Sequence, residues 1–240
     1  MTLVIAHRGL SRAHHENSLE ALRAGAEHAH AVEIDVRCTH DGVPVLVHDA
    51  TLGRTAGADV RVGQLDLAEV HDRFPVIATL EEGLDALGEL DCAVMLDVKV
   101  SRPRAIEAIE RTVNESRYVW NDGRQLRHGE PLDIGTCTFQ SADPQLLQAF
   151  RSRTGAGTLE LIRSDSSARE LLLTAPFITA YAQGVTLPEA LATRTVLRAL
   201  RGLRLGTYVY TVNSPARFEE LTRHGASGIY TDIADKIARP

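Results

Sequence analysis

Seven residues carry the types and spacings from which chemistry can be built: His7, Arg8, Glu33, Asp35, His48, Asp97 and Lys99. Glu33 and Asp35 stand two apart inside the apolar run AVEIDV (31–36), so in a strand both point to the same side. Two acids aimed into an interior are costly without a cation or a partner. Asp97 repeats the pattern in AVMLDVK (93–99), with Lys99 again two residues on. Three carboxylates at the mouths of neighbouring strands suit one hard divalent cation, Mg²⁺ or Ca²⁺, that keeps coordination positions for water and substrate oxygens. The same spacing also fits an internal ion-pair network with Lys99 and Arg8. His7 ends the first apolar run. His48 lies in VPVLVHD (43–49), which follows VEIDVRCT across His40, Asp41 and Gly42. Asp-Gly between extended runs signals a hairpin, and the link is too short for a parallel crossover. With Asp41 and Gly42 as the central turn residues, 40 pairs with 43 and 39 with 44, which sets His48 opposite Asp35 with Cβ atoms roughly 5 Å apart. Two imidazoles beside a cation site and two basic side chains suit a phosphodiester: the positive groups offset its charge while the histidines move protons.

Those residues need a scaffold that brings distant strand ends together. Short β-branched runs alternate with Ala/Leu-rich helical stretches, and eight read as strands: 3–7, 31–36, 93–99, 134–139, 157–162, 176–180, 207–213 and 227–232. Helical patterns lie between them, several starting at a Ser, Thr or Asp able to cap free amides. The alternation predicts a closed parallel (β/α)8 barrel of TIM type with a small β-hairpin inserted after its second strand. A doubly wound open sheet is the runner-up, but no GxGxxG turn follows the first strand. In such a barrel chemistry sits at the C-terminal strand ends, where His7, Glu33, Asp35 and Asp97 all fall.

Composition narrows the remaining classes. The 240 residues fit one domain spanning 1–240, and 44% hydrophobic with 24% charged residues is ordinary for a soluble globular chain. A net charge of −6 disfavours a nucleic-acid partner bound through a broad basic face. Cys38, Cys92 and Cys137 are widely spaced and form no CxxC, so neither a disulfide framework nor a zinc knuckle is expected, and a reducing, cytoplasmic setting fits. No signal-peptide core and no run of about 18 apolar residues is present. Aromatic content is 5%, and no exposed apolar helix or polybasic cluster is legible, which favours a small soluble substrate over stable membrane association. His14, His15, His28, His30 and His40 read as solvated, and His71, His128 and His224 as exposed. Residues 121–131 read as a polar loop near the barrel rim, and Arg54 as a surface ion pair within reach of the phosphate. The oligomeric state is not legible.

The strings HRG (7–9), ENS (16–18), EID (33–35), THDGVPVLVHD (39–49), TLGRT (51–55), ATLEE (78–82), DVK (97–99), CTF (137–139), YTVN (210–213) and GIYTD (228–232) follow one another along essentially the whole chain. The series resembles the glycerophosphodiester phosphodiesterase family. That resemblance implies a TIM barrel that uses a divalent metal to cleave glycerophosphodiesters to glycerol 3-phosphate and an alcohol. By motif, His7 and His48 look like the acid/base pair, Glu33 and Asp35 like metal ligands, and Arg8 and Lys99 like phosphate contacts. It further suggests attack by the glycerol 2-hydroxyl and a cyclic phosphate that water then opens. Departures are His15-Glu16-Asn17-Ser18 in place of Pro-Glu-Asn-Thr, Tyr210 in place of a Trp, and Asp97 in place of the Glu in Glu-x-Lys. An aspartate there resembles instead the sphingomyelinase D-like phospholipases, so a phospholipase D-like enzyme acting on lysolipids or sphingolipids is the alternative. A non-catalytic phosphate-binding barrel is disfavoured because His7, Glu33, Asp35 and His48 are all retained.

Overall fold

A computed structural model describes residues 1–90, 92–127, 130 and 132–237. Its strands are β1 (Leu3–Ala6), β2 (Ala31–Cys38), β3 (Pro44–Leu46), β4 (Ala93–Val98), β5 (Val119–Trp120), β6 (Thr136–Ser141), β7 (Thr158–Leu161), β8 (Gly184–Pro188), β9 (Gly206–Tyr210) and β10 (Gly228–Thr231). Eight of them run parallel in the order β1-β10-β9-β8-β7-β6-β4-β2, and the β1–β2 pairing closes the barrel. Helices cover the outside because a parallel ladder needs a crossover between successive strands. Six of these helices start at a residue whose side chain accepts a first-turn amide: Ser18, Thr79, Asp143, Ser167, Thr193 and Ser214.

Period-two alternation splits each strand between two environments. Outward residues such as Val4, Val32, Ile34, Val94, Leu96, Val209 and Ile229 pack under the helices. Inward residues Leu3, Ile5, Ala31, Ala93, Met95, Tyr208 and Tyr230 form a second cluster inside the barrel. Leu126 completes that cluster from a short 3-10 turn, Gln125–Arg127. Within the loop expected near the barrel rim, the turn Gln125–Arg127 therefore plugs the end opposite the carboxylates, where Leu126 is fully buried and its carbonyl accepts from the Tyr208 hydroxyl at 3.3 Å. His128 lies outside the described residues.

Two further expectations are corrected. Residues 176–180 are not a strand: Ala168–Ile178 is one helix, with a Ser167/Glu170 capping box and Pro176 in its last turns. Proline and β-branched residues gave that segment a strand-like reading, yet Pro176 only withholds its own N–H from the ladder and the helix ends two residues later. The barrel strand is Gly184–Pro188, whose closing proline and short length masked it. The hairpin also slips by one residue: Cys38 pairs with Pro44, Arg37 with Val45 and Val36 with Leu46. A three-residue loop, His40 to Gly42, ends in Gly42 at φ 89°, a left-handed conformation suited to glycine, instead of the two-residue turn expected. The helix Ala168–Ile178 exposes Leu173 and Phe177, an apolar pair the sequence reading did not anticipate. Among the described residues, no helix is long and apolar enough to cross a membrane, and no disulfide joins the three cysteines.

Candidate active site

The site begins where β1 ends. Arg8 and Gly9 adopt φ of 57° and 78°, and a Cβ on Gly9 would overlap the Ala21 backbone, so only glycine lets the turn press against the following helix. The left-handed turn aims the Arg8 backbone N–H at Glu33 Oε2, 2.9 Å away. Asn17 is likewise left-handed, at φ 59°, a conformation that asparagine tolerates better than most residues. Its buried carboxamide clamps Asp35 at two points: Nδ2 donates to Asp35 Oδ2 at 3.0 Å, and Oδ1 accepts from Asp35 N at 3.1 Å. Ser18 caps the helix behind it, as its hydroxyl permits.

Parallel register between β2 and β4 sets Asp35 beside Asp97 and Glu33 beside Met95. Glu33, Asp35 and Asp97 are all buried, each offering an oxygen within 4.8 Å of the others. Lys99 Nζ lies 3.0 Å from Asp35 Oδ1 and 2.6 Å from Asp97 Oδ2. Arg8 Nε lies 3.1 Å from Asp35 Oδ2 but is not aligned for a hydrogen bond. The ion-pair network foreseen as an alternative thus serves Asp35 and Asp97. It does not reach Glu33, which among the described residues has no ion pair and accepts only the Arg8 amide. The electrostatics follow: burial, then the neighbouring Asp35 charge, pushes the Glu33 carboxyl above its usual range. Burial also opposes the charged form of Asp35, but Lys99 and Arg8 overcome it and hold that carboxyl below its usual value. For Asp97 burial outweighs Lys99, and the shift is upward.

Each histidine is held by a carboxylate through Nδ1. His7 Nδ1 is 2.7 Å from Asp232 Oδ1, and Asp232 also accepts from Ser11 Oγ at 3.1 Å and Asn213 Nδ2 at 2.6 Å. His48 Nδ1 is 2.7 Å from Asp49 Oδ1, Asp49 accepts from Arg54 Nε at 2.6 Å, and Arg54 forks onto Glu16, with both N···O distances 2.7 Å. The surroundings differ. Burial lowers the His7 pKa, but the Asp232 hydrogen bond and the field of Glu33 reverse this to a net rise. For His48, burial together with the Arg8 and Lys99 charges outweighs Asp35 and Asp49, and the net shift is downward.

All seven residues singled out from the sequence line one cavity of about 430 Å³ at the C-terminal end of the barrel. Gln140, Thr186, Tyr210 and Tyr230 line it as well, and Gln140 Oε1 accepts from both the Thr186 and Tyr230 hydroxyls, at 2.6 and 2.8 Å. His48 arrives despite the register slip because β3 stops at Leu46. The chain leaves the ladder after Val47 N bonds Asp35 O, and Arg37 Nε pins the His48 carbonyl at 2.8 Å. Asp232, Asp49, Asn17 and Glu16 escaped the sequence reading. Asp232 was findable, since barrel closure sets the end of GIYTD beside His7. Arg54 makes the ion pair expected of it. Of the remaining histidines, His14, His15, His28, His40 and His71 are exposed, while His30 and His224 are half-buried and not solvated as expected. His30 Nδ1 accepts the Val4 amide.

The model of the "Glycerophosphoryl diester phosphodiesterase family" matches residues 7–236. Human "Glycerophosphodiester phosphodiesterase 1" is 32% identical over 132 residues, which is 49% of this chain and 40% of that protein, so the chain matches well under two thirds of this relative's length. A Bacillus altitudinis "Glycerophosphodiester phosphodiesterase" is 27% identical over 100% of this chain and 98% of its own. Among solved structures, an Oleispira antarctica phosphodiesterase in complex with its product sn-glycerol-3-phosphate superposes with a TM-score of 0.80 at 21% identity, covering 98% of this chain and 94% of that one. A Thermotoga maritima glycerophosphodiester phosphodiesterase gives 0.77 at 24% identity, over 98% and 96%. At those identities the superpositions speak for the fold, while the family match runs through every motif around the cavity: this chain is a member of the glycerophosphoryl diester phosphodiesterase family.

Proposed function

We propose that the protein, with residues 1–240 acting as one domain, hydrolyses glycerophosphodiesters to sn-glycerol 3-phosphate and an alcohol, with His7 as general acid and His48 as general base. The observation that carries this reading is the pair of imidazoles, each held through Nδ1 by a carboxylate, lining one cavity with three converging acids. The directions of their shifts, His7 upward and His48 downward, support this order of roles. His7 gives its proton to the leaving alcohol oxygen while neutral His48 takes one from the glycerol 2-hydroxyl as it attacks phosphorus, and water then opens the cyclic phosphate to sn-glycerol 3-phosphate. With Nδ1 of each ring engaged by Asp232 or Asp49, Nε2 is the nitrogen left for these transfers. Arg8 and Lys99 serve as phosphate contacts. The names of the Bacillus altitudinis and human relatives, and the product in the Oleispira antarctica structure, support the substrate class. They do not favour the phospholipase D-like alternative.

The donor set fits one divalent cation, Mg²⁺ or Ca²⁺, on Glu33, Asp35 and Asp97. Three buried carboxylates converge, and among the described residues Glu33 forms no ion pair. When bound, such a cation supplies positive charge for a non-bridging phosphate oxygen. Incubation of glycerophosphocholine, glycerophosphoethanolamine and glycerophosphoglycerol with chelated protein, then with Mg²⁺ or Ca²⁺ restored, tests the reading. Release of sn-glycerol 3-phosphate that returns with the cation is expected. No release under any of these conditions contradicts it.

A further inference from the structure

A second, larger cavity opens beside the first, and Lys99 lines both. Its walls carry Arg37, Arg61, Arg102, Arg104 and Arg111 in addition to Lys99, against two acids, Asp41 and Glu107. The chain as a whole carries 32 Asp and Glu against 26 Lys and Arg, so a groove with this excess of arginine runs counter to the general composition. Arg61, Arg102, Arg104 and Arg111 are exposed, and among the described residues none forms an ion pair with a carboxylate, even though Glu107 shares the helix Pro103–Glu115 with Arg104 and Arg111. Asp41 is engaged elsewhere, accepting the Leu67 amide and the Thr39 hydroxyl. Arg37 donates to the carbonyls of His48 and Lys99, so its guanidinium sits at the junction of the two cavities, bound to the backbone that carries two candidate site residues. The helix Pro103–Glu115 begins at the groove with no acid in its first turn to offset the positive end of its dipole.

Unpaired arginines along an open groove match the geometry of phosphate, which accepts paired N–H donors from a guanidinium. Resting on the phosphodiesterase reading above, we infer that this groove receives a second phosphate of the substrate, so that the preferred substrates are glycerophosphodiesters bearing at least one further phosphate beyond the scissile group. Neither the chemistry at the rim nor the residues around Glu33 require such a groove; a glycerophosphodiester with a neutral headgroup leaves it unused.

Two substrates separate the idea from a general preference for anions: glycerophosphoglycerol, with one phosphodiester, and glycerophosphoglycerophosphoglycerol, with two. For the unsubstituted protein kcat/KM is expected to be about tenfold or more higher on the second, mainly through KM, with the preference shrinking as salt rises. In the Arg61→Ala/Arg102→Ala/Arg104→Ala variant the preference collapses toward one while turnover of glycerophosphocholine holds within about twofold. A glycerophosphoglycerol ending in a phosphomonoester tells whether the groove reads a chain diester or a terminal phosphate. Equal kcat/KM on the one- and two-phosphate substrates, or a variant that weakens both alike, overturns the inference. Should the protein hydrolyse none of these compounds, the phosphodiesterase reading falls. The groove is then judged by calorimetric binding of glycerophosphoglycerophosphoglycerol, expected to weaken about tenfold in the triple variant and overturned if it does not.

Discussion

The two ends of this barrel are built from the same strands yet make opposite materials. Along β1 the inward series runs Leu3, Ile5, His7; along β2, Ala31, Glu33, Asp35; along β4, Ala93, Met95, Asp97. Over about 13 Å, at roughly 3.3 Å per residue, each passes from an apolar plug to an ionic rim. At the plugged end Leu126, Tyr208 and their neighbours form one buried apolar cluster. At the rim two non-glycine residues, Arg8 and Asn17, take left-handed backbone, and buried carboxylates are neighbours. One end holds the barrel closed; the other spends that stability on charges no core would tolerate. Substitutions should therefore separate cleanly: rim changes cost rate, plug changes cost stability.

The largest effect is expected at the rim. His7→Ala and His48→Ala each lower kcat by about 10² to 10⁴-fold on glycerophosphocholine, with thermal stability little changed. A variant that keeps near-normal rate removes that histidine from the reaction. At the plug, Leu126→Ala costs about 2–5 kcal/mol of unfolding free energy by denaturant titration and leaves kcat/KM intact. Loss of rate without loss of stability there would erase the contrast. Glu33→Gln sharpens it in the other direction. Because the native carboxyl is raised by burial and Asp35, the folded chain keeps a proton the unfolded chain releases. In chelator, the stability that this carboxyl contributes is thus fullest below the ordinary carboxylate range and declines as pH rises through the raised native value. The thermal midpoint of the unsubstituted protein should fall over that interval and that of Glu33→Gln should fall less; parallel curves contradict the placement of the charge. The smallest effect concerns Asp232→Asn. Rate requires His48 neutral and His7 protonated, so the alkaline limb of the kcat/KM profile reports His7, and losing its carboxylate partner moves that limb to lower pH. An unmoved limb assigns it to another group.

Much of this arrangement is written locally. An acid pair in an apolar run, a second acid-containing run, and a histidine closing the first strand all follow from period-two alternation, which is why Glu33, Asp35, Asp97 and His7 reached one cavity as expected. What failed depended on contacts distant in sequence or on one-residue geometry. Nothing in Pro176–Ala180 says that the helix beginning at Ala168 continues through its proline, and the five residues of β8 have too little pattern to announce a strand. The hairpin register turned on whether the loop held two residues or three, a choice set by Gly42 and the Thr39 bonds to Val43. Asp232 became visible only through the closure of β10 on β1, and Asp49 was overlooked because the adjacent His48 drew the chemistry.

The division of labour between the two histidines can be read from one comparison of leaving groups. With sn-glycero-3-phospho-p-nitrophenol, the departing phenolate needs no proton, so an acid becomes dispensable while a base does not. The kcat/KM of His7→Ala, relative to the unsubstituted protein, should recover by about 10²-fold or more on changing from glycerophosphocholine to this substrate, and that of His48→Ala should not. Recovery in His48→Ala instead, or in neither, contradicts the assignment of the Asp232-held imidazole as the acid.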